Sequence, residues 1–203
     1  MLNNFANKIT NNQTKNEELL FSIGSKIINN FLINSSITNK DYYITDIEFY
    51  ISSPIHTIDK DITTNREITH CHPRQLEKEI YYIHRIGHKS DSFSLIQGAG
   101  IDLCFGDVSS NTFIGILIRE IKDVQTDEIF HGPQKVLKTL LNFPVLYGEY
   151  KEKFITLAKE IESETIFSKS NPLFIKKSLN NLQTEQATRV NVNNNLLYRI
   201  KII

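Results

Sequence analysis

The sequence predicts an α+β domain with a largely antiparallel sheet, and three observations carry that reading. Runs with period-two alternation of β-branched and aromatic residues stand beside runs with helical spacing of Leu and Ile. The two kinds do not follow the strict strand–helix alternation of a parallel sheet. Finally, 203 residues suffice for one hydrophobic core, and no internal repeat or linker divides them.

Taken in order, residues 1–15 are polar and Asn-rich and are expected to form a flexible leader, with a single domain over 16–203. From Asn16, the positions of Leu19, Leu20, Ile23, Ile27, Ile28 and Phe31 predict an amphipathic helix. In the next run, Tyr43, Thr45, Ile47 and Phe49 alternate with Ile44, Asp46, Glu48 and Tyr50, which predicts a strand. Ser52 to His72 is polar and reads as a long irregular loop, a kind of segment that is often functional. Ile80 to Gly87 forms a second strand, Gly98, Gly100 and Gly106 suggest bends, and the apolar run Thr112 to Asp123 belongs at the centre of the sheet. Gly132-Pro133 opens a helix with Val136, Leu137, Leu140 and Leu141 on its buried stripe, and YKEKFITLAKEIES forms another. The stretch TRVNVNNNLLYRIKII reads as two strand-like pieces around an Asn turn.

No apolar run is long enough for a membrane span and the start has no signal-peptide core, so a cytoplasmic protein without membrane association is expected. Two cysteines, Cys71 and Cys104, make no disulfide framework. The formal net charge is zero, yet residues 1–130 hold 12 Lys/Arg against 17 Asp/Glu, and residues 131–203 hold 11 against 6. The basic final third could meet phosphate, as nucleic-acid binding requires. The phosphate-binding, dinucleotide and nucleophile-elbow motifs are absent. His56, His70, Cys71, His72, His84 and His88 could converge on a metal, but their spacing fits no standard zinc arrangement, and no metal is expected. Glu48, with Tyr50 on the same strand face, and Arg119 within an apolar strand are costly to bury unless paired or functional.

Five segments in order resemble the alkyladenine (3-methyladenine) DNA glycosylase family, from about Glu17 to Ile200. They are Asp46-Ile47-Glu48-Phe49-Tyr50 for the family's E-T-E-A-Y; Pro73-Arg74-Gln75 before Tyr81-Tyr82-Ile83-His84; Ile116-Leu117-Ile118-Arg119-Glu120 for V-L-L-R-A; Gly132-Pro133-Gln134-Lys135-Val136 for G-P-G-K-L; and Arg189-Val190-Asn191 with Leu197-Tyr198-Arg199-Ile200. The resemblance implies a curved, mostly antiparallel sheet flanked by helices, and a monomeric base-excision-repair enzyme acting on a damaged base in double-stranded DNA. It implies no cofactor. Glu48 would activate the attacking water and Arg119 would lie beside it. Tyr50 would form one wall of a base sandwich, Tyr82 or His84 the other, with His56 in the loop after the catalytic strand. Ile86 would wedge into the duplex, and Asp102 stands where the family carries Asn. Such a chain departs from the family at Asp46, Ile47, Phe49, Ile86 and Asp102. A binding protein without hydrolytic activity on the same fold, and a metal-dependent hydrolase using His70 and His72, are the competing expectations.

Overall fold

In the computed structural model, residues 4–56, 59–63, 68–69, 71–84, 99–143 and 151–203 are described. The chain enters through a short 3-10 turn, Ala6–Lys8, and then helix α1, Gln13–Asn30, which Asn12 caps by accepting from the Lys15 N–H. Strands β1, Phe31–Ser35, and β2, Lys40–Ser52, follow as a hairpin. After the 3-10 turn Pro73–Leu76 come β3, Lys78–Ile83; β4, Ile101–Phe105; β5, Phe113–Asp123; and β6, Ile129–His131. Helices α2, Pro133–Leu141, and α3, Lys151–Ser163, lead to β7, Leu173–Lys177; β8, Thr184–Ala187; and β9, Arg199–Ile202. These nine strands form one curled sheet in the order β3-β4-β5-β2-β1-β7, with β6 on β5 and β9 joining β8 to β2. Every pairing is antiparallel. The molecule is a single α+β domain, as its patterning predicts.

One face of the sheet is apolar. Ile47, Phe49 and Ile51 of β2, Leu103 and Phe105 of β4 and Ile114, Ile116 and Ile118 of β5 join one buried cluster with the stripes of α1, α2 and α3. Gly24 lets α1 lie close on this face, since a Cβ there would stand 2.5 Å from Ile200 Cγ1. The opposite face carries Glu48 and Tyr50 of β2, Asp102 of β4 and Arg119 of β5. What separates the two faces of β2 is a register shift around Asp46. Tyr42 and Ile44 point into the core before it, and Ile47, Phe49 and Ile51 do so after it. An extra residue thus breaks the uniform alternation expected over 43–50, as a β-bulge must, and sets Glu48 on the polar face.

The structure differs from the sequence reading at three other places. The described part of the supposed leader packs onto the core: Phe5 is 2% exposed and meets Phe49 edge-on at 6.0 Å, and Ile9 is buried. Phe31 starts β1 instead of ending α1, because Leu32 and Ile33 fit a strand that pairs on both sides. Thr188 to Val190 is no strand; the strand lies earlier, at β8, which frees Arg189 and Val190 to fold over β2. The abundance of Asn also finds a local use. Asn39, Asn111, Asn142 and Asn191 all adopt left-handed backbone, which Asn tolerates better than most residues. Ile86 lies outside the described residues, as do His70 and His88.

Because Phe5 seals the Phe49 side of the core, Phe5→Ala will lower the stability of the fold by about 3 kcal/mol, read as a lower urea midpoint at unchanged slope. A change within experimental error would show that the N-terminal segment does not hold the core.

Candidate functional site

On the polar face, side chains from two strands and a backbone N–H from one late loop meet at Glu48, which is fully buried. Its Oε2 accepts from the Tyr50 hydroxyl at 2.9 Å and from Arg119 Nη1 at 3.1 Å. Its Oε1 accepts from the Val190 N–H at 2.7 Å. Register explains the meeting. Glu48 faces Leu117 on one side and Arg199 on the other, so Arg119 lies two residues along β5 on the same face. Burial, reinforced by the adjacent Glu48 carboxylate, pushes the Tyr50 phenol well above its ordinary value, so it remains a donor. Arg199 in turn engages Asp46 through Nε, at 3.0 and 3.1 Å to the two carboxylate oxygens.

Behind Tyr50 lies a residue whose part the sequence reading missed. Arg189 is buried, donates from Nη1 to Phe49 O at 2.9 Å and to Asp59 Oδ2 at 3.0 Å, and also pairs through Nη2 with Asp59 Oδ1. Its guanidinium lies 5.1 Å from the Tyr50 ring centre and 5.2 Å from that of Tyr198. One side of the Tyr50 ring is therefore covered. Asp59 had read as one of many acids in a polar loop. Its partner lies 130 positions away, and no local pattern couples the two.

A second group adjoins the first across β5. Asp102 is fully buried and pairs with Tyr82 across the β3–β4 ladder. Its Oδ2 lies 2.7 Å from His84 Nε2 and accepts from Gln75 Nε2 at 3.0 Å. Gln75 is held by the 3-10 turn Pro73–Leu76, where its Oε1 accepts from the His72 N–H and the His72 ring accepts from the Arg74 N–H. The carboxylate lies directly over Gly115, where a Cβ would come within 2.5 Å of Asp102 Oδ2 and 2.6 Å of Gln75 Nε2. Gly115 is the β5 neighbour of Tyr50, so its missing side chain lets the two groups share one surface. Tyr82 is buried, stacked on His72 at 4.2 Å and tilted 5.0 Å from His84.

The structure thus brings together Glu48, Arg119 and Tyr50, and beside them Tyr82, His84 and Asp102. His56 lies elsewhere, among Thr10, Asn16 and Tyr198. Asn16 Nδ2 is 3.1 Å from its Nδ1, and the Tyr198 hydroxyl is 3.4 Å from its Nε2. Burial lowers the His56 pKa, against the opposing pull of Asp59. Among the described residues no three His, Cys, Asp or Glu side chains converge as a metal set, and no helix is long and apolar enough to cross a membrane.

No protein-family model matches the chain. It is similar to an uncharacterized protein of Acanthamoeba polyphaga mimivirus, with 29% identity over 112 residues, covering 48% of this chain and 46% of that protein. The chain therefore spans about half the length of the relative it matches.

Two outcomes follow from the buried charges. Arg189→Met strands Asp59 without its cation and will cost about 3–5 kcal/mol in denaturant unfolding. A cost under 1 kcal/mol, the range of exposed pairs, would mean that the pair holds nothing. His56 has a lower pKa folded than unfolded, so the unfolded chain binds more protons and stability falls as pH drops below the ordinary value of 6.5. His56→Gln will flatten that fall between about pH 7 and 5, as measured by melting temperature; an unchanged slope would place the pH sensitivity elsewhere.

Proposed function

We propose that this protein hydrolyses the N-glycosidic bond of a damaged or alkylated purine flipped out of duplex DNA, with Glu48 activating the water. The observation that carries the reading is the fully buried Glu48 carboxylate held by Arg119 and Tyr50, three of the residues at which the sequence resembles the alkyladenine DNA glycosylases. A carboxylate fixed by three donors has one orientation, and a general base works only when its lone pair is aimed at the water it deprotonates. In the proposed step, the water oxygen bonds to the sugar C1′ and the C1′–N bond breaks with its electron pair leaving on the purine. The water proton passes to Glu48. Arg119 keeps the carboxylate in place and presents positive charge to the phosphate side of the nucleotide. Extrusion of the base is what would admit it to such a face, since the reacting carbon is out of reach inside a duplex. Lys and Arg of residues 131–203 would supply the phosphate contacts.

A second reading, nucleic-acid or nucleotide binding without hydrolysis, is favoured by one observation: Arg189 already covers a side of the Tyr50 ring, and both Glu48 oxygens already have donors. Single-turnover base release from duplexes bearing hypoxanthine, ethenoadenine or an N-methylated purine separates the two. Under the proposal, wild type releases base and Glu48→Gln, still folded by circular dichroism, is slower by about 10²–10⁴-fold. Equal rates would sink the assignment of Glu48. Salt-sensitive binding with no release from any duplex would favour the second reading.

A further inference from the structure

Residues 4–12 lie against the core yet belong to none of the nine strands. Phe5, Ala6 and Ile9 are buried, and the side chain of Asn16 ties the segment to α1. Asn16 Oδ1 accepts from the Thr10 N–H at 3.0 Å and from the Thr10 hydroxyl at 3.2 Å, while Nδ2 donates to Thr10 O at 2.7 Å. These bonds leave the amide one orientation, so the second Nδ2 hydrogen is presented to His56 Nδ1, 3.1 Å away. Nδ1 must therefore offer a lone pair. His56 is held neutral, with its proton on Nε2 toward the Tyr198 hydroxyl at 3.4 Å.

A second proton on the ring would set an Nδ1–H against the Asn16 N–H. The Thr10 carbonyl, 3.4 Å from Nδ1, already accepts from Asn16. Buried donors without acceptors are costly, and the cost is relieved when Thr10 and Asn16 part from the ring. We propose that His56 is a pH-operated latch: neutral, it holds residues 4–12 on the core through Asn16; protonated, it releases them while the sheet stays folded. Among the groups around the ring, burial is the strongest influence and disfavours the imidazolium; Asp59 and the Thr10 carbonyl favour it, and Arg189 opposes it. Asp59 is itself engaged by Arg189 at 3.0 Å, which limits its pull. Burial keeps the Tyr198 phenol neutral, and Glu17 of α1 accepts from the Leu197 N–H at 3.0 Å. The docked ring thus resists a proton that the released ring takes near the ordinary value of 6.5, so docking weakens as pH falls below it. Release unpairs no strand, which makes it a local opening distinct from unfolding, and Phe49 loses the cover of Phe5.

Hydrogen-exchange mass spectrometry of wild type between about pH 8 and 5 tests this, each amide rate being divided by the unprotected rate at that pH. Peptides covering 4–12 will lose protection by up to about tenfold per pH unit below 6.5, the limit for one proton, while Phe113–Asp123 of β5 keeps its own. In His56→Gln, whose amide oxygen accepts from Asn16 at any pH, protection of 4–12 will stay level. No pH dependence in wild type, an equal loss in β5, or the same loss in His56→Gln would overturn the inference. If His56→Gln does not fold, Asn16→Asp decides, because a carboxylate there accepts from the imidazolium. Protection of 4–12 that no longer falls toward low pH keeps the inference, and a fall like that of wild type ends it.

Discussion

A carboxylate can be buried only if something replaces the water it gives up, and this sheet is organised around meeting that demand. The centre of its polar face, at Asp46, Glu48 and Asp102, is buried. It is covered by a 3-10 turn, by the loop through Arg189 and by neighbouring side chains, so each acid on it needs a built partner. The partners come from distant parts of the chain. β5 supplies Arg119, β9 supplies Arg199 and the loop between β8 and β9 supplies Arg189. Pairing of these charges fixes how β9 and that loop lie against β2, and it fixes the orientation of Glu48 as a by-product.

The bulge at Asp46 makes this possible. A strand with perfect alternation would have to choose between keeping Tyr42 and Ile44 in the core and keeping Ile47, Phe49 and Ile51 there. The extra residue lets β2 bury both sets while Asp46, Glu48 and Tyr50 reach the opposite face. Fold stability and site geometry meet in one irregularity of the ladder. Gly115 plays a comparable part on β5, where a methyl group would displace both Asp102 and Gln75.

Much of the framework was legible in the sequence because it depends on local periodicity. The α1 stripe, the central β5 and the Gly132-Pro133 helix start all follow from spacing over a few turns. Glu48, Tyr50 and Arg119 stood out because charged and polar residues in apolar strands are expensive, and the structure brings those three side chains together. What was not legible depends on pairing across long separations. Arg189 stood in one of the family-like segments and Asp59 in the polar loop, with nothing to couple them until the chain folds. The bulge was hidden because Ile44 and Ile47 both look like strand core, and the parity change between them leaves no compositional trace. His56 meets the N-terminal segment at the Thr10 carbonyl and α1 at Asn16, and the apparently featureless polar leader gave no reason to expect the first contact.

The late position of Val190 has a consequence for how the protein is made. Glu48 waits 142 residues for the backbone N–H that completes its set of donors, and Asp59 waits 130 for its guanidinium. Synthesis runs from the N-terminus, so the central hairpin and its acids emerge well before the groups that neutralise them. During that interval the β2 strand offers an unpaired edge and uncompensated charge, and it cannot settle into its final burial. Non-local pairing of this kind makes folding slow relative to helical proteins of similar size. The ion pairs of Asp59 with Arg189 and of Asp46 with Arg199 can therefore close only once most of the chain has emerged, whereas Arg119 reaches Glu48 earlier.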